Sequence, residues 1–237
     1  MVLPVLAWYF LFCYMPMYGA QIAFKDFNPG LGILGSPWVG LKNFNMFFSG
    51  IYFFRTFRNT LLISLYSLLF GFPSAIVFAL LLNEVRREAF KRIVQTVSYL
   101  PHFISLVVVC AIIREFTKSD GLINNIIDLF GGERRSMLLD ASLFRTIYVI
   151  SGIWQNIGWD SIVYLAALVG VDPVYYDVAV VDGAGRFQRM LHITLPGIAP
   201  TIIIMFILRI GQLMNVGFEK IILLYNENIY ETADVIS

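Results

Sequence analysis

Long apolar runs alternate with short polar stretches along this chain, and the runs are long enough to cross a bilayer. About 20 apolar residues in a helix span the ~30 Å of hydrocarbon. Five segments meet that length by polarity: about 2–24, 60–82, 93–113, 143–168 and 198–217. The second is the clearest, 23 residues without a charge, or about 35 Å at ~1.5 Å per residue. Pro101 lies inside the third run; proline is tolerated within a span where neighbouring groups satisfy the freed backbone. The pattern predicts an all-α, polytopic transmembrane bundle in one domain over 1–237.

The connections differ in character. Residues 25–58 are rich in Gly, Asn and aromatic pairs such as Phe47-Phe48 and Phe53-Phe54, which suit a membrane interface. Residues 83–92 are short and basic, and 114–142 carry a short helical pattern around 122–130. Basic residues concentrate in short cytoplasmic loops. Placing 83–92 and 169–197 in the cytoplasm puts Arg86, Arg87, Lys91, Arg92, Arg186 and Arg189 there in about 39 residues. The opposite side then holds Lys25, Lys42, Arg55, Arg58, Arg114, Lys118, Arg134, Arg135 and Lys220 in about 83, a modest bias. The N-terminus is then cytoplasmic and Ser237 external.

The stretch 169–197 stands out because charge is scarce, 14% against 58% hydrophobic residues. Asp172 as N-cap and Pro173 in the first turn predict a short helix to Val181. Asp182-Gly183 breaks it, since glycine tolerates a left-handed backbone. A second helix follows at about 186–194, ended by Leu195-Pro196. From the residues alone this elbow is either a surface connector or a docking element whose small Ala179, Ala184 and Gly185 admit a close partner.

Within the spans, ionisable residues face protein or water. Asp160 and Arg209 fall at about the same depth, ~13–17 Å from the elbow side at the helical rise, as a pair or as separate water-facing groups. Trp154, Gln155, Asn156, Gly158, Trp159 and Asp160 on the fourth span, with Arg209, Gln212, Asn215 and Glu219 on the fifth, supply aromatic faces and hydrogen-bonding groups suited to a sugar. Helix–helix hydrogen bonding is the other use of such residues. His102 and Ser105 are weaker candidates on the third span.

Other classes find less support. A net charge of +1 gives no electrostatic case for nucleic acid. Two cysteines and two histidines lack metal-ligand spacing. The Gly30–Gly35 repeat lacks the strand and helix that give a dinucleotide fingerprint its geometry, and no Ser/His/Asp set suggests hydrolysis. There is no Walker A sequence.

Asp177-Val178-Ala179, Asp182-Gly183-Ala184 and Ile193-Thr194-Leu195-Pro196 resemble the EAA loop of inner-membrane permeases of ATP-binding-cassette importers, with the spacing intact. Asp177, Val178 and Met190 depart from the usual residues. Tyr14-Met15-Pro16-Met17-Tyr18-Gly19, Trp38-Val39-Gly40, Arg58-Asn59-Thr60, Tyr99-Leu100-Pro101 and the tail from Gly217 to Ser237 are similar to the maltose-type branch that handles oligosaccharides and polysaccharide fragments. The resemblance implies a type I importer permease of the bacterial inner membrane, with five spans here, a sixth in the complete protein, and both terminal segments beyond this sequence.

It further implies no cofactor on this chain, with ATP and Mg on two partner ATPases. A second permease, an extracytoplasmic solute-binding protein, lipid and an oligosaccharide complete the partners. Asp177, Ala179, Asp182, Gly183, Ala184, Arg186, Arg189, Leu195 and Pro196 would form the coupling element, with Asp182 capping its second helix and Arg186 and Arg189 facing acidic groups on the ATPase. The loops 25–58 and 114–142 would meet the binding protein. A secondary transporter or channel without an ATPase is the rival class.

Overall fold

The computed structural model describes residues 2–236; the expectation for Ser237 lies outside them. The described residues are helical with a single isolated bridge, Lys25 to Trp38. Two helices cross a membrane by length and composition, Val2–Phe24 and Phe53–Asn83. Three bent pairs supply the rest: Glu88–Phe103 with Leu106–Leu129 at 103°, Ala141–Val169 with Pro173–Val181 at 72°, and Arg186–Gly197 with Ala199–Gly211 at 62°. With each bent pair counted as one span, the total reaches the five expected.

The third span departs from expectation. Its helix stops at Tyr99, tightens into a 3-10 turn over Leu100–Phe103, and goes extended at Ile104. Ser105 then caps Leu106–Thr117 by accepting from the Val108 amide. Pro101 is buried in the tight turn. It marks a true break in the span.

Three prolines explain a recurring irregularity. The π-helical segments Phe10–Tyr14, Ser67–Gly71 and Met190–Thr194 each end two residues before Pro16, Pro73 or Pro196. A proline has no N–H and its ring collides with the carbonyl four residues back. A widened turn shifts that carbonyl away, and the helix continues instead of stopping. The Met15 and Leu195 amides accordingly reach five residues back, to Phe10 and Met190. Leu195-Pro196 therefore carries the second elbow helix on to Gly197 where the sequence predicted an end.

The described residues form two compact units, 2–54 and 55–236. In the first, Phe24 stacks on Trp38 at 5.5 Å and Asn43 Nδ2 donates to the Ala23 and Lys25 carbonyls at 3.1 and 2.9 Å. In the second, one core gathers Ala75, Ala79, Leu80, Tyr164, Leu168 and Ile198. There alanines on the second span let the fourth approach closely, as small residues do between membrane helices. Another core gathers Ile63, Val109, Phe144, Leu224 and Ile229.

That second core draws in the tail, which the sequence left irregular. Phe218–Leu224 is helical, and Ile229 and Ala233 are fully buried. Thr232 Oγ1 donates to the Ala141 carbonyl at 2.8 Å, and Asn226 Nδ2 to that of Leu138 at 2.9 Å. Asp234 pairs with Arg55 and accepts from the Tyr225 hydroxyl. Burial, and the Asp234 carboxylate beside it, push Tyr225 up to about 12, which keeps its hydroxyl a donor.

The 114–142 connection is built on Asn124, which is fully buried. Its Nδ2 donates to the Lys118 and Arg135 carbonyls at 2.6 and 2.8 Å, and its Oδ1 accepts from the Arg135 amide at 3.1 Å. Asp140 caps the fourth span, and the Ser142 hydroxyl and amide hold its carboxyl below the ordinary carboxylate range. Asn124→Ala strands two carbonyls and an amide, at a cost of about 1–3 kcal/mol for each group left unsatisfied. Hydrogen exchange is expected to rise over 118–136 alone; unchanged exchange there would show that Asn124 is dispensable.

Candidate translocation cavity and coupling elbow

The second, fourth and fifth spans enclose a cavity of about 390 Å³, within the usual range of small-molecule sites, about 300–1,000 Å³. Six of the ten residues singled out for sugar contact lie in its wall: Gln155, Asn156, Asp160, Arg209, Gln212 and Asn215. Asp160 and Arg209 share the cavity without forming an ion pair; among the described residues no such bridge joins them.

The remaining four lie elsewhere. Gly158 is buried and faces the third span: a Cβ there would strike the Ser98 carbonyl and come within 2.9 Å of Tyr99 Cδ1. The close approach it permits is that of a helix. Trp159 stacks on His102 with ring centroids 4.5 Å apart and planes 3° from parallel. It meets Phe103 edge-on at 5.6 Å. Trp154 and Glu219 are exposed outside the cavity wall.

His102 has a positioning role. Its Nδ1 lies 3.0 Å from Asn156 Oδ1, and Asn156 Nδ2 donates to the Gly152 carbonyl at 3.1 Å. The amide on the cavity wall is thus fixed from both ends, one of them by the broken turn of the third span.

Several wall residues carried no clear signal in the sequence. Ser64, Ser67 and Ser74 come from the second span, on and around the π segment Ser67–Gly71, and π turns recur at functional sites. Tyr148 and Lys220 complete the wall. Lys220 follows the fifth span and had been counted among external loop charges. The apolar Ile221-Ile222-Leu223-Leu224 run directly after it was the available sign that it goes inside.

The elbow matches its sequence reading in outline. Pro173–Val181 is helical, and the Asp172 carboxylate accepts from the Val174 amide at 2.9 Å. Gly183 takes φ +77°, and the Ala184 amide returns to the Ala179 carbonyl at 2.8 Å. The capping detail differs. Asp182 closes the first helix and its side chain makes no cap bond, whereas the Gly185 amide donates to Gln188 Oε1 at 2.8 Å at the start of the second. Tyr176 and Thr194 hydroxyls meet at 2.9 Å and tie the two arms. Val178, Val181, Phe187 and Tyr175 are exposed on this element, as are Asp177, Arg186 and Pro196, while Arg189 and Leu195 are half-buried.

Comparison with known proteins supplies the family. The model described as binding-protein-dependent transport system inner membrane component matches residues 67–217, which include the cavity and the elbow. The polygalacturonan/rhamnogalacturonan transport system permease protein YteP of Bacillus subtilis is 47% identical over 236 residues, 99% of this chain and 74% of YteP. A chain of a bacterial ABC transporter involved in the import of the acidic polysaccharide alginate superposes with a TM-score of 0.91 at 45% identity, covering 99% of this chain and 79% of that one. A chain of a bacterial alginate ABC transporter in complex with an alginate pentasaccharide-bound periplasmic protein gives 0.90 at 44%, over 99% and 78%. The chain belongs to the inner-membrane components of binding-protein-dependent transport systems: it is an all-helical ABC permease of the inner membrane.

Proposed function

We propose that the chain imports saccharides bearing carboxylates, received from an extracytoplasmic binding protein and moved by ATPase partners that dock on the elbow. The observation that carries this reading is the composition of the cavity wall. It offers amide, hydroxyl and guanidinium groups for sugar hydroxyls and carboxylates, with two cations against the single carboxylate of Asp160. The substrates named for the alginate transporter and for YteP are of this chemistry.

The exposed apolar and basic residues of 173–196 fit a groove on a nucleotide-hydrolysing subunit. A second permease of similar fold would complete the path, with 25–58 and 114–142 toward the binding protein. ATP and Mg belong to the ATPases.

Vesicles holding this chain, a second permease and the ATPases, given binding protein loaded with a uronate oligosaccharide, are expected to hydrolyse ATP faster and accumulate the sugar. Deleting 177–190 is expected to abolish co-purification of the ATPase. Uptake driven by an ion gradient alone, with that deletion harmless, would make the chain a secondary carrier. Asn156→Ala is expected to lower uptake about tenfold, for one lost hydrogen bond of about 1 kcal/mol and the disturbed partner; normal uptake would remove Asn156 from the site.

A further inference from the structure

We propose that Lys220 is the carboxylate-reading residue of the cavity, the group by which the permease prefers an acidic saccharide to its neutral counterpart. This rests on the saccharide-binding reading of the cavity above.

Lys220 is a buried cation, 6% exposed, in a cavity wall. An ammonium has three N–H donors. One goes to the Tyr148 carbonyl at 3.1 Å, and the Tyr148 ring lies with its centroid 4.8 Å from Nζ. Among the described residues no carboxylate pairs with it. Burying a charge without a counter-charge is costly, and such residues inside membrane proteins serve substrates and ions.

The other wall charges do not relieve it. Asp160 lies twelve residues along the fourth span from Tyr148, about 18 Å at the helical rise, and among the described residues no ion pair joins it to Lys220. Among the described residues, Lys220 is left as a buried cation whose only polar partner is a neutral carbonyl. A uronate carboxylate supplies both the opposite charge and two acceptors in a charge-assisted hydrogen bond, about twice as strong as a neutral one. A neutral hydroxyl can accept too, but brings no opposite charge.

Access is open on one side. Gly152 also lines the cavity, and a Cβ built on it would meet a single neighbour, Lys220 Nζ at 3.6 Å. The missing side chain at Gly152 leaves the ammonium reachable.

The test compares uptake of a uronate oligosaccharide with that of its carboxyl-reduced form, in vesicles of the complete transporter. The binding protein is identical throughout, so a changed ratio belongs to the permease. Lys220→Gln is expected to lower uronate uptake about tenfold or more and the reduced sugar less than about twofold, with Lys220→Arg keeping the preference. Gly152→Val, which leaves the lysine and its Tyr148 bond in place but covers the ammonium, is expected to lose the preference too, and it decides the matter if Lys220→Gln fails to assemble. An unchanged ratio, or equal loss for both sugars, overturns the assignment to Lys220. Asn156→Ala run alongside separates the two ideas: it lowers both sugars if the cavity is the sugar site. If neither it nor the Lys220 and Gly152 variants changes any uptake, the cavity itself is not that site.

Discussion

Replacing Gly183 by valine is expected to bring uptake and substrate-stimulated ATP hydrolysis to background while the permease stays folded in the membrane. Gly183 has φ +77°, where a residue with a Cβ pays about 1–2 kcal/mol and a β-branched one more. Nothing lies within 4 Å of a Cβ placed there, so the strain is confined to the backbone. Strain of that size is too small to unfold a bundle. It is enough to re-aim a two-helix element held at its corner by the Gly183–Val180 and Ala184–Ala179 backbone bonds. Gly183→Ala is expected to give an intermediate loss. Vesicle uptake at wild-type rates with Gly183→Val would show that the elbow transmits nothing.

Gly158→Leu is expected to remove the folded protein altogether. A side chain there meets the Ser98 backbone and the Tyr99 ring, and backbone cannot step aside as a flexible side chain would. Overpacking of a close contact costs about 1–3 kcal/mol and sometimes more; here it forces the third and fourth spans apart next to the His102–Trp159 stack. Loss of the monodisperse detergent-solubilised species, together with a lower melting temperature for the milder Gly158→Ala, is the expected result. A stable Gly158→Leu protein with altered substrate range would restore Gly158 to the ligand wall.

How far the residues speak for themselves depends on how local the signal is. Asp172, Pro173 and Gly183 set the elbow through capping, a fixed φ and a left-handed turn, all within a few residues, and the structure reproduces them. Pro101, Pro73 and Pro196 look alike in sequence, yet one marks a break and two mark widened turns. Arg209 and Asp160 were conspicuous because charge is rare in a span. Lys220 was not, because a lysine beyond the last apolar run reads as solvated until the returning tail is seen to bury it. The serines of the second span failed for the opposite reason, since small hydroxyls in an apolar helix equally serve helix contacts. Gly158 and Trp159 lie on the fourth span as read, but outside the cavity wall and against residues of the third span.

The fifth helix stops at Gly211, and Phe218–Leu224 beyond it packs against Leu106–Thr117. Arg209 is joined to the elbow through the 62° bend at Ile198, whereas Lys220 is separated from it by the further, unwound residues 212–217. On the proposed docking of an ATPase at the elbow, a guest bridging both would sit between a driven jaw and an anchored one. Displacing the first would then change the gap between their charges, and discharge of cargo would follow from a change of width, with no need to reshape the whole chamber.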